Sequence, residues 1–135
     1  MRALSGRAAV VWHDVECGAY QVDLPLWEEL AAANPGPVLE IGCGTGRVAL
    51  HLARRGHRVT AIDREAPLVE ELGSRAAAQG VVVGTVRADA AELELGEQFA
   101  LILAPMQLIQ LLPGRAACRS WPFPIMRGTT GSPAR

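Results

Sequence analysis

Three glycines at alternate positions follow a short apolar run in the stretch VLEIGCGTGR, residues 38–47. Because Gly42, Gly44 and Gly46 have no Cβ atom, this backbone can adopt positive φ angles and let a ligand lie directly against it. The N–H groups at the start of the helix that follows favour an anionic group, such as a carboxylate or a phosphate. The pattern therefore predicts a ligand-binding turn, and a tight turn without a ligand is the alternative.

An acidic residue, Glu40, lies inside the apolar run that precedes the glycines. A buried carboxylate is unfavourable unless a partner satisfies it. An ammonium group on a bound ligand would do so, and so would a salt bridge to Arg47. The sequence leaves both possibilities open.

Two further acidic residues come directly after apolar runs. Asp63 ends RVTAID, 21 residues after Gly42, and an acid about 20 residues after such a turn reaches a ribose hydroxyl in nucleotide-binding βαβ units. Arg64 beside it either lies along an adenine ring or is solvated. Asp89 follows VVVGTV and could cap a short helix. The offset of Asp63 indicates a nucleoside ligand.

The glycine spacing differs from the GxGxxG of dinucleotide-binding proteins, and the Gly-Lys-Ser/Thr ending of a P-loop is absent. VLEIGCGTGR instead resembles motif I of the class I S-adenosylmethionine-dependent methyltransferases, in which an acidic residue stands two positions before a GxGxG turn. The resemblance covers roughly residues 20–113. It implies that S-adenosylmethionine is the cofactor, that Glu40 faces its methionine amino group, and that Asp63 holds both ribose hydroxyls.

The same resemblance assigns the adenine ring to Asp89, as acceptor of its amino group, and to the backbone N–H of Ala90. Ala104, after a fourth apolar run, would line the end of the pocket near the methyl group. The segment 104–106 lacks the Asn/Asp-Pro-Pro-Tyr/Phe motif of many enzymes that methylate nucleic acids or protein amides, which favours a small-molecule acceptor. The predicted cofactor-binding residues are Glu40, Gly42, Cys43, Gly44, Gly46, Asp63, Arg64, Asp89, Ala90 and Ala104.

These residues must be positioned by alternating strands and helices. The patterns predict strands at 38–41, 58–63, 81–86 and 99–103, and helices at 24–33, 47–55 and from Pro67 to just before Gly80, with Asp23 capping the first helix. Such alternation is typical of an α/β fold with a doubly wound parallel sheet. We expect a Rossmann-like methyltransferase fold that is incomplete, with about four strands and flanking helices.

The domain organisation follows from this alternation. Residues 1–114 are predicted to form one S-adenosylmethionine-binding domain, with a helical segment at 1–37, and residues 115–135 an irregular tail rich in Pro, Gly and Arg. Three further strands are usual in the resembling family, so the catalytic activity of this short chain is an open question. A non-catalytic cofactor-binding or regulatory module is the alternative function, and an NAD-dependent oxidoreductase is a third. The open sheet edge could support a homodimer.

Composition and charge limit the other functional classes. Half of the 135 residues are hydrophobic but only 4% are aromatic, which indicates one domain with an aliphatic core. The 13 basic residues are scattered among 14 acidic ones, so neither nucleic acid nor a membrane surface is an expected partner. The odd number of widely spaced cysteines argues against a disulfide framework and against a metal site. Without a signal-peptide pattern, we expect a cytoplasmic protein.

Histidines are the side chains suited by ordinary pKa to act as a general base. His51 falls on a predicted helix and His57 in a loop away from the expected pocket mouth. His13 comes from a segment that could fold over the site, but we expect it to be structural or exposed. No catalytic residue is therefore assigned.

Overall fold

A computed structural model describes residues 5–94 and 96–105. The helices are α1 (Gly6–His13), which continues into a π-helical turn (Asp14–Gly18), α2 (Leu24–Ala33), α3 (Arg47–Arg54) and α4 (Ala66–Ala78). The strands are β1 (Val38–Ile41), β2 (Val59–Asp63), β3 (Val83–Arg87) and β4 (Leu101–Leu103), with a 3-10 turn at Ala90–Glu92. Every predicted helix and strand is present, with ends within two residues of the prediction. The predicted boundary after residue 114 and the tail at 115–135 lie outside the described residues.

The four strands form one parallel sheet in the order β3-β2-β1-β4. The chain steps outward from β1 to β2 and β3 and then returns to the other side of β1. Strand order therefore reverses between β1 and β4, and in open parallel sheets the ligand crevice lies beyond the carboxyl ends of the strands at such a point. This arrangement confirms the predicted α/β class with a parallel sheet.

A hydrophobic cluster lies on each face of the sheet. On one face, Val38 of β1 packs in a cluster that contains Val48 and Leu52 of α3 and Leu72 of α4. On the other face, β1 and β2 contribute to a smaller cluster whose members are Leu39, Ile41, Ile62, Ala90 and Phe99. Both faces of β1 are thus buried, which is why its four residues are fully enclosed and why a carboxylate among them is exceptional.

Helix α1 lies within the predicted helical segment 1–37, but the sequence does not predict its bounds, because none of its residues is buried and no apolar stripe marks it. Its local signal is the N-cap: the Ser5 hydroxyl oxygen accepts a hydrogen bond from the Ala8 N–H at 3.4 Å. The helix packs along α4 and ends at His13, next to the glycine turn. This packing brings the end of α1 close to the glycine turn, a proximity that the sequence alone does not predict.

Asp23 occupies the N-cap position of α2, as predicted, but its side chain does not cap the helix. Its carboxylate accepts instead from the Trp27 indole N–H at 2.7 Å and from the Arg47 guanidinium, with an Nη2–Oδ2 distance of 2.9 Å. The prediction that the Asp23 side chain caps α2 is therefore wrong, because its carboxylate pairs with the Arg47 guanidinium of α3 instead.

No helix within the described residues has both the length and the hydrophobicity needed to span a membrane.

Candidate functional site

The predicted site residues lie at the carboxyl ends of the four strands. Glu40 of β1 pairs with Ala61 of β2 and with Leu103 of β4, so Ala104 comes one residue beyond Glu40 along the sheet. Asp63 ends β2 and pairs with Arg87 at the end of β3, so Asp89 follows at the same edge. The fold thus brings the acidic residues of three strands to one edge.

The glycine turn between β1 and α3 has the backbone conformation that the sequence predicts. Gly42, Gly44 and Gly46 have φ angles of 73°, 56° and 101°. The N–H groups of this turn are used within the protein: those of Gly42 and Cys43 both donate to the Ile62 carbonyl, at 2.8 and 2.9 Å, and that of Gly46 donates to Cys43 at 3.1 Å. The Gly44 N–H donates to the Asp63 carboxylate at 2.9 Å. These four N–H groups are therefore already committed and are poorly placed to bind an anion.

Two of the glycines have an internal reason to lack a side chain. A Cβ atom at Gly44 would lie 2.0 Å from Nε2 of His13, and one at Gly46 would lie 2.1 Å from Cδ1 of Leu72. The missing Cβ atoms thus make room for side chains of α1 and α4. Contact between these glycines and a ligand stays a prediction.

Glu40 is the most unusual residue at this edge. It is 2% exposed, and within the described residues its Oε2 atom has no hydrogen-bond partner. Burial raises the pKa of this carboxyl group to about 8, although the nearby Arg47 charge and the Ala49 N–H oppose the shift. The group is therefore mostly protonated at neutral pH and would ionise readily if a cation approached it.

The salt bridge to Arg47 that the sequence left open is not formed. The Arg47 guanidinium forms its ion pair with Asp23, donates to the Tyr20 carbonyl at 2.9 Å, and lies 5.5 Å from the centre of the Tyr20 ring. This pairing with Asp23 is the largest cause of the raised pKa of Arg47. Among the described residues, the Glu40 carboxyl group is thus left without a close cationic partner.

Asp63 links the glycine turn to the segment after β2. Its Oδ2 atom accepts from the Gly44 N–H and its Oδ1 atom accepts from the Glu65 N–H at 3.0 Å. Each carboxylate oxygen can accept more than one hydrogen bond, so ribose hydroxyls can still be accepted there. The Arg64 side chain is largely exposed and lies 3.7 Å from Glu65, which matches the solvated alternative.

The remaining predicted site residues cap a turn, pack in the hydrophobic clusters or follow a strand. The exposed Asp89 accepts from the Ala91 N–H at 2.9 Å and caps the 3-10 turn, while Ala90 is buried in the smaller cluster. The Cys43 thiol is buried in the larger cluster, and burial raises its pKa. Ala104 is half-buried just after β4. Any contact that these residues make with a cofactor stays a prediction.

A polar cluster over the glycine turn was missed from the sequence. The Thr45 hydroxyl donates to the Asp14 carboxylate at 2.9 Å, and its oxygen lies 3.3 Å from Nδ1 of His13. Arg75 of α4 donates to both oxygens of Asp14, at 2.6 and 3.1 Å, which lowers the pKa of Asp14. The only sequence signal was a polar residue, Thr45, within the glycine turn.

The two other histidines lie away from this edge, as predicted. His51 is buried on α3 and its Nε2 atom lies 3.2 Å from a Glu28 carboxylate oxygen. His57 lines a surface pocket of about 380 Å³, together with Pro35 and Arg58, before the amino ends of β1 and β2. That pocket contains none of the predicted site residues.

The chemistry of this edge is that of a hydrogen-bond acceptor surface. Carboxyl groups lie close to the ends of β1, β2 and β3, while the N–H groups of Gly42, Cys43, Gly44 and Gly46 are committed within the protein. Such an edge suits a ligand that carries hydroxyl, amino and cationic groups. It suits a pyrophosphate poorly, since that group is bound through free N–H donors.

Comparison with known proteins gives related sequences and structures. Residues 38–120 match the family described as methyltransferase domain. The chain is 32% identical over 76 residues to YodH of Bacillus subtilis, an uncharacterized methyltransferase, and the match covers 55% of this chain and 33% of YodH.

Among solved structures, the CcbJ methyltransferase from Streptomyces caelestis is similar, with 31% identity, a TM-score of 0.66, and coverage of 74% of this chain and 44% of CcbJ. Coclaurine N-methyltransferase, solved with N-methylheliamine and SAH (S-adenosylhomocysteine), has 29% identity, a TM-score of 0.55, and coverage of 60% of this chain and 25% of that protein. These likenesses confirm the predicted Rossmann-like fold. In each case the chain spans less than half of the relative's length.

Proposed function

Because the chain belongs to the methyltransferase domain family, we propose that it binds S-adenosylmethionine at the carboxyl ends of β1, β2 and β3 and serves methyl transfer to a small-molecule acceptor. The cofactor, when bound, supplies a methyl group on a positively charged sulfur. The residues that would hold it are those of the acidic edge, with Glu40 at the amino-acid end, Asp63 at the ribose, and Asp89 and the Ala90 N–H at the adenine ring.

The observation that carries this proposal is the unpartnered carboxyl oxygen of Glu40. A buried carboxyl oxygen without a partner is destabilising, and Arg47, whose charge acts on Glu40, is paired with Asp23. The ammonium group of the cofactor would supply the missing cation. The sulfonium charge is also favoured by an edge that carries several carboxyl groups.

The same contacts favour S-adenosylmethionine over the nicotinamide alternative. A dinucleotide requires N–H donors for its pyrophosphate, whereas those of Gly42, Cys43, Gly44 and Gly46 are bonded to Ile62, Asp63 and Cys43. S-adenosylmethionine has no phosphate and offers hydroxyl and amino donors instead.

The acceptor is proposed to be a small molecule. Coclaurine N-methyltransferase was solved with N-methylheliamine, and the Ala104-Pro105 segment after β4 is uncharged. A cytoplasmic location and a homodimer through the edge strand β4 also stay proposals. Size exclusion chromatography with light scattering would test the homodimer.

A non-catalytic cofactor-binding module is the second candidate, because the chain spans only 33% of YodH and 44% of CcbJ. Incubation with S-adenosylmethionine and fractionated cell extract separates the two candidates. Formation of S-adenosylhomocysteine above the level given by a Glu40→Gln, Asp63→Ala double variant supports the enzyme. Cofactor binding without such turnover supports the module.

The proposal as a whole is tested by calorimetric titration of the chain with S-adenosylhomocysteine, with NAD as the control ligand. We expect saturable binding of S-adenosylhomocysteine alone. Binding of NAD alone, or of neither ligand to a chain with a cooperative unfolding transition, would contradict the proposal.

A further inference from the structure

The imidazole ring of His13 lies directly against the backbone of the glycine turn. The ideal Cβ position at Gly44 is 2.0 Å from Nε2, 2.3 Å from Cε1 and 3.0 Å from Cδ2 of this ring. The face of the ring near Nε2 and Cε1 therefore lies against Gly44, and Nδ1 lies 3.3 Å from the Thr45 hydroxyl oxygen. A residue from the end of α1 thus reaches the turn that follows Glu40.

The hydrogen bonds around Thr45 determine which nitrogen of the neutral ring carries the proton. Asp14 is bound to Arg75, which lowers the pKa of its carboxyl group; a carboxylate is an acceptor only. The Thr45 hydroxyl must therefore donate its single proton to Asp14, at 2.9 Å. Its oxygen is then an acceptor for His13, so Nδ1 carries the proton and Nε2 has a free lone pair.

The ring is held in this orientation from the far side of the turn. Arg75 of α4 donates to both oxygens of Asp14 and also to Glu71, at 2.9 Å. The chain of contacts Arg75, Asp14, Thr45 and His13 therefore connects α4 to the imidazole. It leaves Nε2 as an acceptor that no described donor of the protein uses.

The loop that His13 contacts indicates which part of the ligand Nε2 would contact. Among the described residues, the His13 ring is hydrogen-bonded to Thr45 and packs against Gly44, and both residues lie between β1 and α3. That segment begins just after Glu40, whereas Asp63 and Asp89, which are expected to hold the nucleoside, follow β2 and β3. We propose that His13 is a cofactor-binding residue whose Nε2 accepts a hydrogen bond from the ammonium group at the amino-acid end of S-adenosylmethionine.

This inference rests on the proposed function and can be tested with two ligands. S-adenosylhomocysteine carries the amino-acid end, and 5′-methylthioadenosine has the same nucleoside without it. For His13→Ala we expect the affinity for S-adenosylhomocysteine to fall by about tenfold, as for a hydrogen bond to a charged group, and the affinity for 5′-methylthioadenosine to stay unchanged. Trp12→Ala, at the exposed neighbouring position of α1, is the matched control and should leave both affinities unchanged.

Thr45→Val tests the orientation of the ring. Valine has nearly the shape of threonine, so this buried site should keep its packing, but Nδ1 loses its acceptor and the neutral ring is free to move its proton to Nε2. We expect an affinity loss of roughly threefold for S-adenosylhomocysteine, and no further loss when the change is made in the His13→Ala background.

Four results are decisive. A selective loss of S-adenosylhomocysteine binding in His13→Ala supports the inference. An equal loss of both ligands, or no loss of either, overturns it while the proposed function stands. No binding of either ligand to the native chain overturns the proposed function and the inference with it.

Discussion

Binding of S-adenosylhomocysteine should release a proton from Glu40, and Glu40→Gln should abolish that release. Burial raises the pKa of this carboxyl group to about 8, so about 0.9 of it is protonated at pH 7. The ligand ammonium lies beside the ligand's own carboxylate, which holds its pKa above that of a peptide N-terminus, so it is almost fully charged at pH 7. An ion pair in the complex therefore requires a net release of about 0.9 proton at pH 7.

The same pKa predicts the pH dependence of affinity. Between pH 6 and pH 7 the ionised fraction of Glu40 rises almost tenfold, because both values lie below its pKa. The ligand stays cationic over this interval, so the affinity should rise by about ninefold. Toward pH 8 the gain should level off, because Glu40 is then about half ionised.

Calorimetry in buffers of small and large ionisation enthalpy measures this release directly. The slope of the observed enthalpy against buffer ionisation enthalpy gives the number of protons exchanged. Glu97→Gln removes an exposed carboxylate that pairs with Arg58 at 3.5 Å and is the matched control, with its proton release expected to equal that of the native chain. Release near zero in the native chain, or unchanged release in Glu40→Gln, would refute the reasoning.

Three further predictions follow from the same contacts. Asp63→Ala should weaken S-adenosylhomocysteine binding by about 1.5 to 3 kcal/mol, or roughly ten- to a hundredfold; unchanged affinity by calorimetry would remove the ribose assignment. Gly44→Ala should destabilise the fold by about 1 to 3 kcal/mol more than Gly80→Ala, since both have positive φ but only the first meets His13, with nothing within 4 Å of the second; equal losses in urea unfolding would contradict this packing. Stability should fall between pH 4.5 and 8, because folded Glu40 holds a proton that the unfolded chain releases. Glu40→Gln should lack this slope and be about 3 kcal/mol more stable at pH 7, and parallel pH profiles of the two proteins in urea unfolding would rule this out.

The fold was predictable because its elements carry strong local signals. The apolar runs at β1 and β2 are buried on both faces of the sheet, and glycines mark the turn after β1. Helix α1 was not predictable in this way, because none of its residues is buried and its packing against α4 depends on tertiary contacts. Periodicity reports burial, so a helix with no fully buried residue gives little periodic signal.

Only the site residues that lie close together in the sequence, or at a recognisable spacing, were predictable. Glu40 and the glycine turn are adjacent in sequence, and Asp63 follows at a recognisable offset. In the polar cluster, Thr45 contacts Asp14, which is 31 positions away in the sequence. Asp14 in turn contacts Arg75, which is 61 positions from it. The pairing of Arg47 with Asp23 was missed for the same reason. Side chains that meet across distant segments leave no spacing that a single sequence displays.

The most direct test of the central claim is a crystal structure of the chain with S-adenosylhomocysteine. We expect the ligand to lie across the carboxyl ends of β1 and β2, with its ammonium group hydrogen-bonded to Glu40, directly or through one water. A ligand bound elsewhere, or one whose amino-acid end points away from β1 while Glu40 stays unpartnered, would contradict it.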